Sequence, residues 1–410
     1  MSRALSPLRS APFRWLVVAS TVDRIGGSIA PVALAFAVLD LTGSATSLGL
    51  VVGARSLANV IFLLIGGVVA DRLPRAIVLV GSSWASAATQ AVVALLIFRR
   101  VDSVALLAAL SAVNGTVSAF AFPASMALIP QTVPPSQLTQ ANALSRLGVN
   151  ASNVLGTSVA GLIVAVWGSA WGIAIDAASF AVAAAFFGLV RAAPTPARTV
   201  KTSVLRDLAS GWSEFASRTW LWAVVAAFGV MNAAYVGAIA VLGPVVADDT
   251  IGRKAWGLVL GAQAVGYVVG GLFAVRLRMR HLLLFGMACT LPLVLPILGL
   301  AAHAGFAVLV AASFVSGLGV EQFGVAWQTS VHQHVPPNVL ARVLSYDALG
   351  SFIAIPLGEV AAGPVSHAIG TRGALVGASA LVLVAALSPL TSRSVRTLVN
   401  EDASTAGAVG

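Results

Sequence analysis

Twelve long apolar stretches follow one another along this chain, at 13–39, 45–70, 76–98, 103–130, 142–167, 170–190, 218–243, 254–275, 281–302, 305–330, 342–367 and 372–392. An α-helix rises about 1.5 Å per residue, so roughly 20 such residues cross the hydrocarbon core of a bilayer. In lipid each backbone N–H and C=O must be satisfied within the protein, which leaves only helices and closed barrels. These runs are continuously apolar rather than alternating, so they predict an all-α integral membrane protein. Composition agrees: 9% of residues are charged, against about 25% in soluble domains. The first run is long enough to span and reads as a retained helix rather than a cleaved signal. Cys289 is the single cysteine, so no intrachain disulfide forms.

The net charge of +10 invites a nucleic-acid reading, but the basic residues fall in short gaps between apolar runs. With the amino terminus placed in the cytoplasm, sixteen Lys and Arg fall in cytoplasmic segments, five (Arg99, Arg100, Arg253, Lys254 and Arg372) in outer loops, and three (Arg24, Arg55 and Arg146) inside spans. That asymmetry follows the positive-inside rule. It predicts a multi-pass protein with both termini cytoplasmic, and the Arg-rich, Ala/Val/Gly-rich composition points to a bacterial cytoplasmic (inner) membrane. The expected partners are the lipid bilayer, a small-molecule substrate and protons, with no nucleic acid.

The longest hydrophilic connection, 191–217, opens with a Pro/Thr-rich stretch and continues as "LRDLASGWSEFASR". There Leu205, Leu208, Trp212 and Phe215 recur at helical spacing, which predicts an amphipathic helix on the cytoplasmic surface. It separates a six-span bundle at 1–190 from a second at 218–410, which carries a short tail. The halves repeat in the same order. "QTVPPSQLTQANALSRLG" at 131–148 is echoed by "QHVPPNVLARVLSYDALG" at 333–350, and "GGVVADRL" at 66–73 by "GGLFAVRL" at 270–277.

Twelve spans, a parallel 6+6 repeat and a central loop resemble the major facilitator superfamily of secondary transporters. The loop between spans two and three resembles the signature G-x-x-x-D-R-x-G-R: Gly67, Asp71, Arg72 and Arg75 match, with Pro74 in place of a glycine. "LDLTGSATSLGLVVGARSL" at 39–57, "IPQTVPPSQLTQANAL" at 129–144, "IDAASF" at 175–180, "VPPNVLARVLS" and "PLGEVAAGP" resemble the branch that includes enterobactin and macrolide exporters. The resemblance implies that Asp71 sits against the cytoplasmic start of span eleven, where Arg342 is a further partner, as a cytoplasmic gate. The alternative is that these charges only set topology. Antiporters of the superfamily often carry Gly-Pro in span five; here Gly156 precedes Thr157.

Charge inside a membrane is expensive, by about 2.5–3.5 kcal/mol on insertion scales. Asp23 and Arg24 lie about ten residues into span one, and Glu321 lies at comparable depth in span ten. The resemblance implies that spans one, four, seven and ten line the cavity. Arg24 is then expected to meet Glu321 or an anionic substrate group, with Asp23 or Glu321 as the proton-coupling carboxylate; the plainer reading is a static buried ion pair. Arg55 and Glu359 match in depth and are expected to close an outer gate. Asp176 in span six is read as hydrogen-bonding between helices of its own half. Asn114, Asn232, Tyr235, Gln322 and Trp327 stand at cavity-type positions, though helix packing is the ordinary account of each aromatic. His332 and His334 are two apart and point to different helix faces, so no metal ligand set is expected. No nucleophile triad, phosphate loop or dinucleotide fingerprint occurs, so neither an enzyme nor a cofactor is expected.

The expected function is secondary active transport: proton-coupled export of an amphipathic small molecule (a drug, siderophore or secondary metabolite) by alternating access, by a monomer. An importer or facilitator on the same fold, a lipid flippase and a non-transporting sensor are the alternatives.

Overall fold

The computed structural model describes the backbone of residues 3–72, 74–190, 211–274 and 279–400. It describes the side chains of these except 3, 4, 64–72, 122, 123, 127, 337, 338 and 341. Among the described residues the chain is all helix, with no strand. The first half forms α1 (Ala11–Thr42), α2 (Ala45–Arg72), α3 (Arg75–Phe98), α4 (Val104–Leu128), α5 (Leu138–Trp167) and α6 (Ser169–Gly188). The second forms α7 (Thr219–Asp249), α8 (Arg253–Ala274), α9 (Leu282–Ala301), α10 (Phe306–His334), α11 (Pro337–Phe352) and α12 (Ile355–Thr391). Eleven described helices are long and apolar enough to cross a membrane. The last of these, Arg342–Thr391, runs over both the eleventh and twelfth apolar runs, so the expected twelve spans are present.

Breaks fall where the sequence supplies the means. Gly370 has φ 79°, ψ 152° inside α12, a backbone state that costs any residue with a Cβ, and it divides the last two apolar runs. Gly168, at φ 92°, turns the chain between α5 and α6. Three features were not expected. The eleventh run is interrupted between α11 and α12. The ninth opens into a turn and a 3-10 stretch around Pro292. The seventh carries a π-helical segment at Gly237–Leu242. There a Cβ on Gly237 would lie 2.5 Å from the carbonyl oxygen of Gly358, so the missing side chain lets α7 lie against α12.

The chain forms two compact units, Met1–Thr199 with Ile251–Gly261, and Val200–Thr250 with Ala262–Gly410. Ile251–Gly261, the turn before α8 and its first turns, packs with the first of these, the N-terminal unit. Phe13, Leu16, Leu128 and Phe187 are central to one core of that unit. Leu221, Val224, Met287, Phe323 and Trp327 are central to a core of the other. Of the expected surface helix, residues 191–210 lie outside the described residues. Residues 211–216 are helical, and Trp212 and Phe215 pack on Tyr346 of α11 with ring centroids 5.5 and 5.9 Å away.

Candidate functional site

Within the N-terminal unit the buried charge among the described residues is on α6. Asp176 is 0% exposed. Its Oδ2 accepts a hydrogen bond from Nε2 of Gln90 on α3 at 2.6 Å, the interhelical bond expected of it. Its Oδ1 is buried without a hydrogen-bond partner among the described residues. Asp23 of α1 and Arg55 of α2 both act electrostatically on Asp176, and Arg24 acts on Asp23. Asp23 is half-buried and Arg24 exposed. Adjacent helical residues point about 100° apart, which lets one face the interior and the other the surface.

Glycine admits this arrangement. A Cβ on Gly26 would lie 1.8 Å from Ser179 Oγ and 2.8 Å from Asp176 Oδ1, so α1 passes the carboxyl at a bare backbone. Gly156 plays the same part between α1 and α5, where a Cβ would meet Ser28 Cβ at 2.6 Å and the Ile25 carbonyl oxygen at 2.7 Å. Asn114 is buried and donates to Thr89 Oγ1 at 3.4 Å, inside the packing of α3 and α4.

One feature of this unit was missed by the sequence reading. Arg253, at the start of α8, donates to both carboxylate oxygens of Asp40, near the end of α1, at 2.6 and 2.9 Å. Ser169 Oγ donates to the same carboxylate at 3.3 Å, and the guanidinium sits 4.9 Å from the Phe36 ring centroid. Beside the pair a Cβ on Gly257 would lie 2.7 Å from the Gly161 nitrogen, so α5 and α8 meet backbone to backbone.

Within the C-terminal unit the polar candidates form short networks. Asn232 Nδ2 donates to the Ser351 carbonyl at 2.8 Å. Gln263 links Tyr235 and Ser316. Gln322 is buried, and its Nε2 donates to the Gly270 carbonyl at 2.6 Å. Trp327 Nε1 donates to Asp347 Oδ2 at 2.9 Å, and Ser351 Oγ to Oδ1 at 3.3 Å. Phe228, Phe323 and Trp327 stack in series, with centroids 4.1 and 6.0 Å apart. Glu321 lies beside Gly270 and Gly271 and acts electrostatically on Tyr267. Glu359 is buried in α12. No group of three or more metal-ligating side chains occurs among the described residues.

Asp23 and Arg55 thus both act on Asp176, and Arg24 on Asp23; in the other unit Asn232 bonds to Ser351, Ser351 and Trp327 both bond to Asp347, and Tyr235 bonds to Gln263. Arg24 and Glu321, like Arg55 and Glu359, belong to different units. Of the cytoplasmic gate, Gly67, Asp71 and Arg72 lie outside the residues whose side chains are described. Arg75 opens α3, and Arg342 on α11 packs its Cβ against Gly211.

The family model described as "Transmembrane secretion effector" matches residues 2–406. An uncharacterized MFS-type transporter, y4rN, of Sinorhizobium fredii is 30% identical over 271 residues, 64% of this chain and 66% of that one. Macrolide efflux protein A of Streptococcus pyogenes is 24% identical over 377 residues, 90% of this chain and 93% of that one. The crystal structure of the nucleoside transporter NupG matches with TM-score 0.75 at 15% identity, covering 92% of this chain and 98% of that one. The chain belongs to the transmembrane secretion effector family of the major facilitator superfamily. It is a multi-pass membrane transporter of small molecules that works by alternating access, and its family is not one of enzymes.

Proposed function

We propose that this transporter couples the passage of a partly apolar small molecule to proton movement through carboxylates held inside its helices. One observation carries the reading: Asp176 is wholly buried on apolar α6, with Asp23 of α1 and Arg55 of α2 acting on it electrostatically and Arg24 acting on Asp23. Two acids and two arginines sum to no net charge, which offsets much of the cost of placing each in a membrane. Such a group changes its net charge with one proton. Asp23 in this unit and Glu321 in the other are the proposed coupling carboxylates. Arg24, Asn114, Asn232, Tyr235, Gln322 and Trp327 are the proposed substrate contacts, a few polar anchors beside an aromatic wall, which suits an amphipathic ligand.

On this frame the gradients set the direction. Export is supported by the Streptococcus pyogenes relative, a macrolide efflux protein. Import or facilitated passage is the second reading. It is favoured by Gly156–Thr157, where the glycine serves helix packing and the proline of the antiporter pair is missing. Counterflow in liposomes carrying the purified chain tests the reading without presuming a direction. Liposomes preloaded with an unlabelled macrolide, nucleoside or cationic dye should transiently accumulate the same compound in labelled form, and liposomes without protein should not. Binding of such a compound with no counterflow would make the chain a sensor, and movement of labelled lipid alone would make it a flippase.

A further inference from the structure

Asp176 is more than its interhelical hydrogen bond requires. An ionised carboxylate offers about four acceptor sites. This one, wholly enclosed, receives a single neutral donor, Gln90, while Oδ1 lies against the bare backbone of Gly26. An amide at this position would bridge α3 and α6 equally well and would carry no charge. What the acid adds is a site where a proton can bind and leave. The charged groups around it are few. Asp23 comes from α1, with Arg24 acting on it in turn, and Arg55 from α2. The α3 helix contributes the uncharged Gln90, and the one ionisable residue of α5, Arg146, is exposed.

We propose that Asp176 is a proton-binding site of the transport cycle, at which a proton and the Arg55 guanidinium are alternative counter-charges for one carboxylate. Proton bound, the carboxyl is neutral and the Arg55 guanidinium is no longer its counter-charge. Proton lost, Arg55 neutralises Asp176. The inference deepens the proton-coupled reading above and adds to it a residue on α6 on which Asp23, one of the proposed coupling carboxylates, acts electrostatically. No bond other than O–H forms or breaks, and the proton exchanges with water by way of the Asp23 side of the group.

Infrared difference spectroscopy of the full chain in liposomes, recorded across pH, tests it. The wild type should show the C=O stretch of a protonated carboxylic acid that shifts in D2O and titrates. That band should vanish in Asp176→Asn and persist in Asp23→Asn. In Arg55→Gln its midpoint should move to higher pH, by a tenfold or larger change in proton affinity, because the competing cation is gone. A merely structural acid predicts no titrating band and no response to Arg55. A band unchanged in Asp176→Asn, or a midpoint unmoved in Arg55→Gln, overturns the proposal; the second variant keeps the acid and serves if the first does not fold. Proton-driven flux is read separately. A titrating Asp176 without such flux retains the site and removes the coupled-transport reading, while flux with no titrating Asp176 does the reverse.

Discussion

Replacing Arg253 with glutamine should loosen the first turns of α8 from the N-terminal unit. Arg253 makes two bonds to Asp40, at 2.6 and 2.9 Å, and lies 4.9 Å from the Phe36 centroid. The two side chains keep 25% and 39% of their surface, so water screens the pair. It belongs with surface ion pairs, worth about 0.2–1 kcal/mol. A cation over a ring at an exposed site adds about 0.5–1 kcal/mol. The sum, about 0.7–2 kcal/mol, is roughly 3- to 30-fold in an opening equilibrium. Hydrogen–deuterium exchange of residues 251–261 in nanodiscs reads that equilibrium directly. Arg253→Gln should speed exchange of this segment by that factor. Asp40→Asn removes the ion pair but leaves the guanidinium on Phe36, so its effect should stay below about 5-fold. The double variant should go no further than Arg253→Gln, because the two residues share one interaction. Unchanged exchange in Arg253→Gln would refute the reasoning, as would a double variant whose effect is the full sum of the two.

Gly26→Val should destabilise the N-terminal unit by about 1–3 kcal/mol, since its Cβ would collide with Ser179 and Asp176, whereas Gly27→Val meets nothing within 4 Å; thermal unfolding of the two variants should differ accordingly. Gln90→Leu leaves Asp176 without the Gln90 amide donor and should cost roughly 1–3 kcal/mol; denaturant unfolding checks this, and Asp176→Leu in the same chain should recover part of the loss. Trp327→Phe keeps the aromatic stack but removes the N–H that holds Asp347. As Trp327 is a proposed substrate contact, KM for counterflow should rise several-fold while expression stays unchanged, and an unaltered KM would exclude Trp327 from the substrate site.

The helices were legible because run length decides them: an apolar stretch long enough to cross a bilayer has almost no alternative to helix. The division at Gly370 was legible for the same reason, falling in the short gap between two runs. The π-helical turn at Gly237 and the break at Pro292 were not, because a lone glycine or proline within an apolar run also occurs in unbroken membrane helices. Asp176 and its bond within its own half were read correctly. The role of Arg55 was read from depth alone, which cannot choose among neighbours at the same level, and the structure adds Asp176 to them. Asp40 and Arg253 stand 213 residues apart. Arg253 falls among the outer-loop cations, and only packing brings Asp40 to it. Gly156 was read against an antiporter motif; its backbone contact with α1 gives it a local reason that no motif supplies.

The central claim is tested most directly in inverted membrane vesicles with an acid interior. Vesicles carrying the chain are compared with vesicles carrying Asp23→Asn, using a panel of dyes, macrolides, siderophores and nucleosides under pH gradients of either sign. The account predicts flux of at least one compound that follows the pH gradient in the wild type and is uncoupled from it in the variant. Flux equally indifferent to the pH gradient in both would contradict proton coupling through the buried carboxylates.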